Sequence, residues 1–150
     1  MSPLFRSRTP DDNPQPDPRL LQVLIGGDDK AETIIAKKSG EIGVLLAGEA
    51  CIGIAVDVVG SSVLVITETR SFVVQKQGVA TEAKHGSLIR TRCMKKANHG
   101  IAVVLESSSC VYPALRSAAD RQREGANIII FNVRSPEDGF AICKFIDARI

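Results

Sequence analysis

The sequence predicts a mainly β fold: an antiparallel β-barrel or sandwich of about seven strands, capped by a C-terminal helix and preceded by a short N-terminal helical segment. Short apolar runs separated by turn residues recur over residues 50–133, which is typical of antiparallel strands. One well-signalled helix follows them. The chain contains no Trp and one Tyr, so its core must be built from Val, Ile, Leu and Ala.

The C-terminal helix has the clearest local signals in the chain. Ser135 is a favourable N-cap, and Pro136 suits the first helical position. Glu137 and Asp138 place negative charge on the first turn, where the helix dipole favours it. We predict that this helix runs to Ile150. Its apolar residues share one helical face, which we expect to be buried against the sheet: Gly139, Ile142, Cys143, Ile146 and Ile150.

The strands are placed by alternation of apolar and polar residues and by turns. The tight joint Thr67–Arg70 lies between two apolar runs and predicts an antiparallel hairpin. In the run 88–94, we predict that Ile89, Thr91 and Cys93 face the core. The expected strands are residues 51–58, 63–68, 71–75, 79–83, 88–94, 101–106 and 127–133.

The chain divides into three segments: a disordered Pro-rich tail (1–19), an N-terminal helical segment (20–49) and the β-rich domain (50–150). In the helical segment, we predict a helix over 31–38 that Ser39-Gly40 ends, followed by another helical turn over 41–46. Residues 113–125 contain helix formers but only a thin apolar stripe. They are expected to form an inserted loop, which could be partly helical.

Charge and hydropathy narrow the classes of function. The 150 residues carry a formal net charge of +2. A net charge this small gives the protein no strong overall electrostatic attraction to nucleic acid or to a membrane surface. The N-terminus lacks the apolar core of a signal peptide, and no apolar run approaches the length of a membrane span. We therefore expect a cytoplasmic protein with no transmembrane segment.

The cysteines and the absence of catalytic motifs argue against most enzymes. The four cysteines, Cys51, Cys93, Cys110 and Cys143, form no Cys-x-x-Cys pair, so a zinc site is not expected. The sequence contains no GxSxG, P-loop, HExxH or GxGxxG pattern. We expect reduced, buried thiols, no metal, no cofactor and no catalytic residue.

Three short motifs resemble those of the bacterial pleckstrin-homology (PH)-like families. Leu45–Ala50 leads into the first strand with a Gly-Glu pair, as in those families. The segment Leu64–Val74 contains a turn similar to their Thr-Asp-x-Arg type, and Phe131–Pro136 is similar to their final joint between strand and helix. The resemblance covers roughly Leu45 to Ile150.

The resemblance implies a binding or scaffolding module rather than an enzyme. PH domains that bind phosphoinositides carry basic residues across the first two strands and the loop between them. Here residues 57–62 contain no basic residue, and none follows before Arg70. This departure argues against phosphoinositide binding at the usual PH site.

The most basic strand, residues 90–96, is the best candidate surface. Two arginines two positions apart on a strand would present a paired cationic face to phosphate or carboxylate. The same pattern is also explained by a solvent-exposed strand whose positive charges discourage aggregation through the edge of the sheet. No aromatics are interleaved, so single-stranded nucleic acid has no stacking platform. The candidate partner- or anion-binding residues are Arg90, Arg92, Lys95 and Lys96 on this strand, and Arg116, Arg121 and Arg123 on the inserted loop.

Two hypotheses of function follow. The first is a non-catalytic PH-like binding or scaffolding module that recognises a protein or peptide partner by strand addition and is also able to self-associate as a homo-oligomer. The alternative is an anion-binding module that holds acidic lipid or nucleic acid through the basic residues 90–96 and 116–123.

A third hypothesis is a small thiol-dependent enzyme. Basic neighbours would lower the pKa of Cys93, and His85 and His99 are the imidazole bases available to it, but a buried structural thiol is the simpler interpretation. Asp57 and Glu68 could be imagined as an acid/base pair. Both are expected at strand ends, where carboxylates are solvated.

Overall fold

The computed structural model describes residues 18–27, 29–57, 60–75, 80–95, 100–108, 112–113 and 128–150. In these ranges the helices are α1 (Pro18–Leu21), α2 (Asp29–Leu46) and α3 (Pro136–Asp147). The strands are β1 (Gly53–Asp57), β2 (Ser62–Ile66), β3 (Arg70–Val74), β4 (Ala80–Lys84), β5 (Leu88–Lys95), β6 (Ile101–Ser107), β7 (Tyr112–Pro113) and β8 (Ile128–Val133). A 3₁₀ turn, His85–Ser87, joins β4 to β5.

The strands form two antiparallel sheets. Sheet A has the order β1-β2-β3-β4-β7, in which β7 contributes only two residues, and sheet B has the order β5-β6-β8. The mainly β class with a C-terminal helix and an N-terminal helical segment is therefore confirmed. Among the described residues no backbone ladder joins the two sheets, so they do not close into a barrel.

The hairpin predicted at Thr67–Arg70 is confirmed between β2 and β3, where Ile66 pairs with Ser71. The hydroxyl of Thr67 organises the turn, since its Oγ1 accepts hydrogen bonds from the backbone N–H groups of Thr69 (3.2 Å) and Arg70 (3.1 Å). A threonine side chain that bonds to the backbone in this way is a common turn device. The turn signal was local, so the sequence was sufficient to place it.

Sheet A is buried on both faces. One face packs against sheet B and α3, and its core residues include Ala55, Leu64, Ile66, Val73 and Ala83. The other face is covered by α1 and α2, and its core residues include Ile54, Val63, Val65, Phe72 and Val74. The layers are therefore helices α1 and α2, then sheet A, then sheet B with α3.

The outer edge of β1 is occupied by the segment that follows α1. The N–H of Ile54 donates to the carbonyl of Val23 (3.0 Å), and the N–H of Ile25 donates to the carbonyl of Ile54 (2.8 Å). Leu24 forms a parallel bridge with Ile54. At the C-terminal end of the same strand, Oδ2 of Asp57 accepts a hydrogen bond from Nδ2 of Asn132 on β8 (3.4 Å), which links the two sheets.

Helix α2 differs from the prediction because it runs without a break through Ser39-Gly40. Its buried residues Ala31, Ile35, Ile42 and Leu45 continue one face across the predicted break. A glycine in a helix interior costs about 1 kcal/mol relative to alanine. Burial of several aliphatic side chains against sheet A outweighs that cost, since each contributes about 1.5–3 kcal/mol.

Helix α3 begins as predicted and ends early. Oγ of the N-cap Ser135 accepts a hydrogen bond from the N–H of Asp138 (3.3 Å). The helix ends at Asp147, and the N–H of Arg149 bonds to the carbonyl of Ile146 in a tighter i→i−3 turn. This turn moves Ile150 off the buried face. Its side chain is 51% exposed, so the prediction that it packs in the core is wrong.

Other predictions fall wholly or partly outside the described residues. Of the tail assigned to 1–19, only Pro18 and Arg19 are described, and both are helical rather than disordered. Of the inserted loop at 113–125, only Pro113 is described, in β7. Within the ranges given above, no helix is both long and apolar enough to cross a membrane.

Candidate functional site

Strand β5 is the basic strand predicted from the sequence, and it lies at an edge of sheet B. Seven of its eight residues, all except Ile89, pair with β6 on one side. In the part of the chain that the structure describes, no strand pairs with its other side. Along that side, no ladder among these residues uses the backbone N–H and C=O groups, as is typical of an edge strand.

The bulge at the start of β5 changes one predicted side-chain direction. The register with β6 shifts between Leu88 and Arg90. Leu88 is buried, whereas Ile89 is 63% exposed, so the prediction that Ile89 faces the core is wrong. A bulge adds a residue to one strand and so moves the side chains before it to the other face.

Arg90 and Arg92 lie on the outer face of sheet B and share one carboxylate. Nε of Arg90 lies 2.5 Å from Oε2 of Glu106 on β6, and Nε of Arg92 lies 3.5 Å from the same oxygen. The hydrogen bond and charge of Glu106 raise the pKa of Arg90, and those of Arg90 lower the pKa of Glu106. Both arginine side chains stay well exposed, at 62% and 45%.

The other predicted basic residues are only partly described. Lys95 ends β5 with an exposed side chain. Lys96, Arg116, Arg121 and Arg123 lie outside the described residues, so the structure does not test whether the inserted loop joins the basic strand.

Helix α3 packs beside β5 and forms the second wall of this site. The hydroxyl of Thr91 donates to Oδ1 of Asp147 (2.7 Å), and Cys93 packs against Gly139. Phe140 lies seven residues before Asp147, on the same side of α3, and its side chain is 62% exposed.

We use the name "β5 edge" for Leu88–Lys95 together with Phe140. The strand and its arginines could be predicted from the sequence, because alternation alone places Arg90 and Arg92 on one face. The contact with Glu106 could not, because it depends on the pairing of β5 with β6. Phe140 was also missed, although a large aromatic residue off the apolar stripe of α3 is a visible signal in the sequence.

Cys93 does not have the surroundings of a reactive thiol. It is half-buried, and removal from water raises its pKa. Cys143 on α3 is buried, and burial raises its pKa as well. Cys51, Cys93 and Cys143 carry free thiols, whereas Cys110 lies outside the described residues.

A serine and a histidine form a close pair that the sequence did not suggest. Oγ of Ser71 lies 2.7 Å from Nε2 of His85, and Nδ1 of His85 lies 3.2 Å from the carbonyl of Glu68. Because a carbonyl only accepts, Nδ1 carries the proton in the neutral ring and Nε2 accepts from Ser71. Ser71 is fully buried and His85 is 3% exposed, so no substrate reaches the hydroxyl. His99 lies outside the described residues.

A hydrogen-bond network centred on Arg70 connects two of the segments that resemble the PH-like families. These are the Gly48-Glu49 pair and the hairpin turn Thr67–Arg70. The guanidinium of Arg70 donates from Nε to Oε1 of Glu49 (2.9 Å), from Nη1 to Oε1 of Glu82 (2.6 Å) and from Nη2 to the carbonyl of Leu45. Thr67 also donates to Oε2 of Glu49 (2.8 Å). This network ties the end of α2 to β3 and β4, so we interpret it as structural.

The carboxylates considered as an acid/base pair occupy different surroundings. Asp57 is buried, and its Oδ1 accepts from the N–H of Gly60 (3.1 Å), so the expectation that it is solvated is wrong. Glu68 has a side chain that is 67% exposed and lies 3.8 Å from Nε of Arg149.

A cleft of about 260 Å³ lies between α1, the second half of α2 and the loop before β1. Its polar groups are engaged within the chain, since Glu49 binds Arg70, the Cys51 thiol donates to the carbonyl of Gly53 and Ser39 donates to that of Ile35. Among the described residues, no three His, Cys, Asp or Glu side chains come together to hold a metal ion.

Comparison of the chain with protein-family models, with curated proteins and with solved structures finds no match.

Proposed function

We propose that this protein is a non-catalytic binding module that recognises an extended segment of a partner protein by strand addition at the β5 edge. The observation that carries the proposal is an eight-residue edge strand that pairs on one side with β6 and is bordered by a helix on its core face. An added strand gains main-chain hydrogen bonds, and pockets for alternate side chains give specificity.

The order of elements supports a PH-like module. Four consecutive strands pair in sheet A, β5, β6 and β8 pair in sheet B, and α3 follows. Phe140 supports recognition of a partner with an apolar residue, since its exposed aromatic ring, on the helix that packs against β5, offers apolar contact area.

The surroundings of the reactive groups support a module without catalysis. Ser71 and His85 are sealed from solvent, and the pKa of Cys93 is raised rather than lowered. A nucleophile has to be both accessible and activated. Neither group meets both conditions.

Selection from a library of displayed peptides, followed by amide hydrogen exchange, tests the proposal. We expect selected peptides to slow exchange at alternate amides of β5, because an added strand bonds to every second residue of an antiparallel edge. The amides of β2, which lies inside sheet A, provide the internal control and should not change. Peptides that bind and leave β5 unprotected would contradict the proposal.

The alternative, an anion-binding module for acidic lipid or nucleic acid, stays a prediction. Arg90 and Arg92 are exposed enough to reach an anion, but Glu106 already lies between them. A free anion must therefore compete with a carboxylate that the fold holds in place.

A further inference from the structure

We infer that the partner strand is acidic and that the β5 edge selects against a second copy of itself. This inference rests on the proposed function, and it adds the chemistry of the partner. The sequence of β5 is Leu-Ile-Arg-Thr-Arg-Cys-Met-Lys, which contains three cations and no carboxylate.

The charges around β5 are unequal. Across the outer face of sheet B, Glu106 is the carboxylate that meets Arg90 and Arg92. One carboxylate cannot neutralise two guanidinium groups, and Lys95 adds a further positive charge at the end of the strand. Asp147 approaches β5 from the helix side, where it accepts from Thr91. Among the described residues, the three cations of β5 therefore outnumber the two carboxylates that contact the strand.

The spacing of the two arginines fits an extended acidic segment. Side chains two residues apart on a strand point to the same face, about 6.5–7 Å apart. An added strand with acidic residues at every second position would place carboxylates opposite both guanidinium groups. Arginine binds carboxylates with paired, charge-assisted hydrogen bonds, so this match favours Asp or Glu over neutral residues.

A second copy of β5 fits the edge poorly. In an antiparallel pair, directly opposite side chains lie on the same face. If two copies of β5 pair antiparallel about a two-fold axis at Arg92, the Arg92 side chains of the two copies lie opposite each other. If the axis passes through Thr91, Arg90 of each copy lies opposite Arg92 of the other. Like charges directly opposite each other destabilise a sheet. The charge of β5 thus opposes self-association through this edge.

The test uses synthetic peptides of about ten residues, long enough to cover a strand. In the first peptide Val alternates with Glu; in the second, Gln replaces every Glu; in the third, Lys replaces it. We expect the Glu peptide to bind about fivefold or more tightly than the Gln peptide at low salt. We also expect the Lys peptide to bind least and the preference for Glu to shrink as salt is added.

Three variants separate charge selection from a structural effect. The double variant Arg90→Gln/Arg92→Gln should lose most of the preference for the Glu peptide, because Lys95 is then the only cation left on β5. Glu106→Gln should bind the Glu peptide more tightly than the unmodified chain, about twofold or more, because both guanidinium groups lose their internal competitor. The matched control is Lys30→Gln/Lys37→Gln, which removes two exposed charges from α2 and should leave the preference unchanged.

Each result supports or overturns the inference. Equal binding of the Glu and Gln peptides, with β5 amides protected by both, overturns the acidic preference and leaves the proposed function standing. Binding of the Glu peptide without protection of β5 indicates a simple anion surface, which overturns both. Failure of the Glu peptide to bind, weaker binding after Glu106→Gln, or a dimer that protects β5 amides without peptide also overturns the inference.

Discussion

At the scale of single residues, Arg70 contributes more contacts between elements than the arginines of the β5 edge. Its side chain is 16% exposed and bridges Glu49 and Glu82, and its guanidinium lies 4.9 Å from the centroid of the Phe72 ring. Burial alone would lower the pKa of Arg70, but the hydrogen bonds to Glu82 and Glu49 outweigh it and raise the pKa. The arginine is therefore held charged inside the structure.

We expect Arg70→Ala to lower the free energy of unfolding by about 2–4 kcal/mol, because it leaves the partly buried Glu49 and Glu82 without their cation. Urea unfolding followed by circular dichroism measures the change. Arg90→Ala is the matched control. Since Arg90 is solvent-exposed, this variant should unfold at the same urea concentration as the unmodified chain. Similar midpoints for both variants would contradict the structural interpretation of Arg70.

His85 couples stability to pH. Desolvation lowers its pKa, and the nearby Arg149 adds to this, while the Glu68 carbonyl and the charges of Glu68 and Glu49 act in the opposite direction. In the unfolded chain the pKa is about 6.5, so as the pH falls below this value the unfolded state binds the proton first. The stabilising contribution is complete above pH of about 6.5 and is lost as the pH decreases through that window.

We expect the urea midpoint of the unmodified chain to fall between about pH 7 and pH 5, and that of His85→Gln to fall less over the same range. Both proteins contain His99, so the difference between their curves isolates His85. The pKa of Glu49 is also lowered, because hydrogen bonds from Thr69, Thr67 and Arg70 outweigh its desolvation. Its contribution is lost only below a pH of about 4.5, outside the window measured. Parallel curves for the two proteins would show that His85 has no such effect.

At the scale of elements, the glycines of α2 and α3 have opposite surroundings. A side chain added at Gly40 of α2 would meet no atom within 4 Å among the described contacts. One added at Gly139 of α3 would overlap the sulfur of Cys93. Gly139 thus allows α3 to lie close to β5, whereas Gly40 only weakens its own helix.

The same substitution should therefore change stability in opposite directions. We expect Gly40→Ala to raise the free energy of unfolding by about 0.5–1 kcal/mol, through helix propensity and the entropy of the unfolded chain. Gly139→Ala should lower it by about 1–3 kcal/mol, because the methyl group pushes α3 away from β5. Thermal or urea unfolding of the two variants checks both signs, and destabilisation of equal size would contradict this account.

Elements with local signals could be predicted from the sequence, and those that depend on packing could not. Ser135 caps α3 and Thr67 organises its turn through atoms within three residues along the chain. The continuity of α2 through Gly40 depends instead on sheet A, and the exposure of Ile89 depends on a bulge against β6. At the candidate site, the arginines were predictable, but Glu106 lies 16 residues from Arg90 and its contact needs the register of two strands.

At the scale of the whole molecule, α2 belongs to the same hydrophobic structure as sheet A. Ile35, Ile42 and Leu45 of the helix pack with Phe72 and Val65 of the sheet, and all five are buried. The division into segments 20–49 and 50–150 stays a prediction about organisation along the chain. The packing indicates that the second segment needs the first to cover one face of its sheet.

We expect a shortened chain of residues 50–150 to bind the dye ANS and to associate, because removal of α1 and α2 exposes an apolar sheet face. Dye fluorescence and light scattering measure both effects. The full chain is the positive control for folding, and a chain of residues 18–150 is the matched control that keeps both helices. A monomeric chain of residues 50–150 with a cooperative unfolding transition would show that this segment folds alone.

The segment Val23–Ile25 along the edge of β1 has a consequence for the joining of chains. Hydrogen bonds with this segment occupy that edge at Ile54, whose N–H and C=O both have backbone partners there. A strand added at β5 of one molecule therefore cannot be followed by the same kind of addition at Ile54 of the next. Joining of chains from a β5 edge to a β1 edge is blocked by the protein's own residues 23–25.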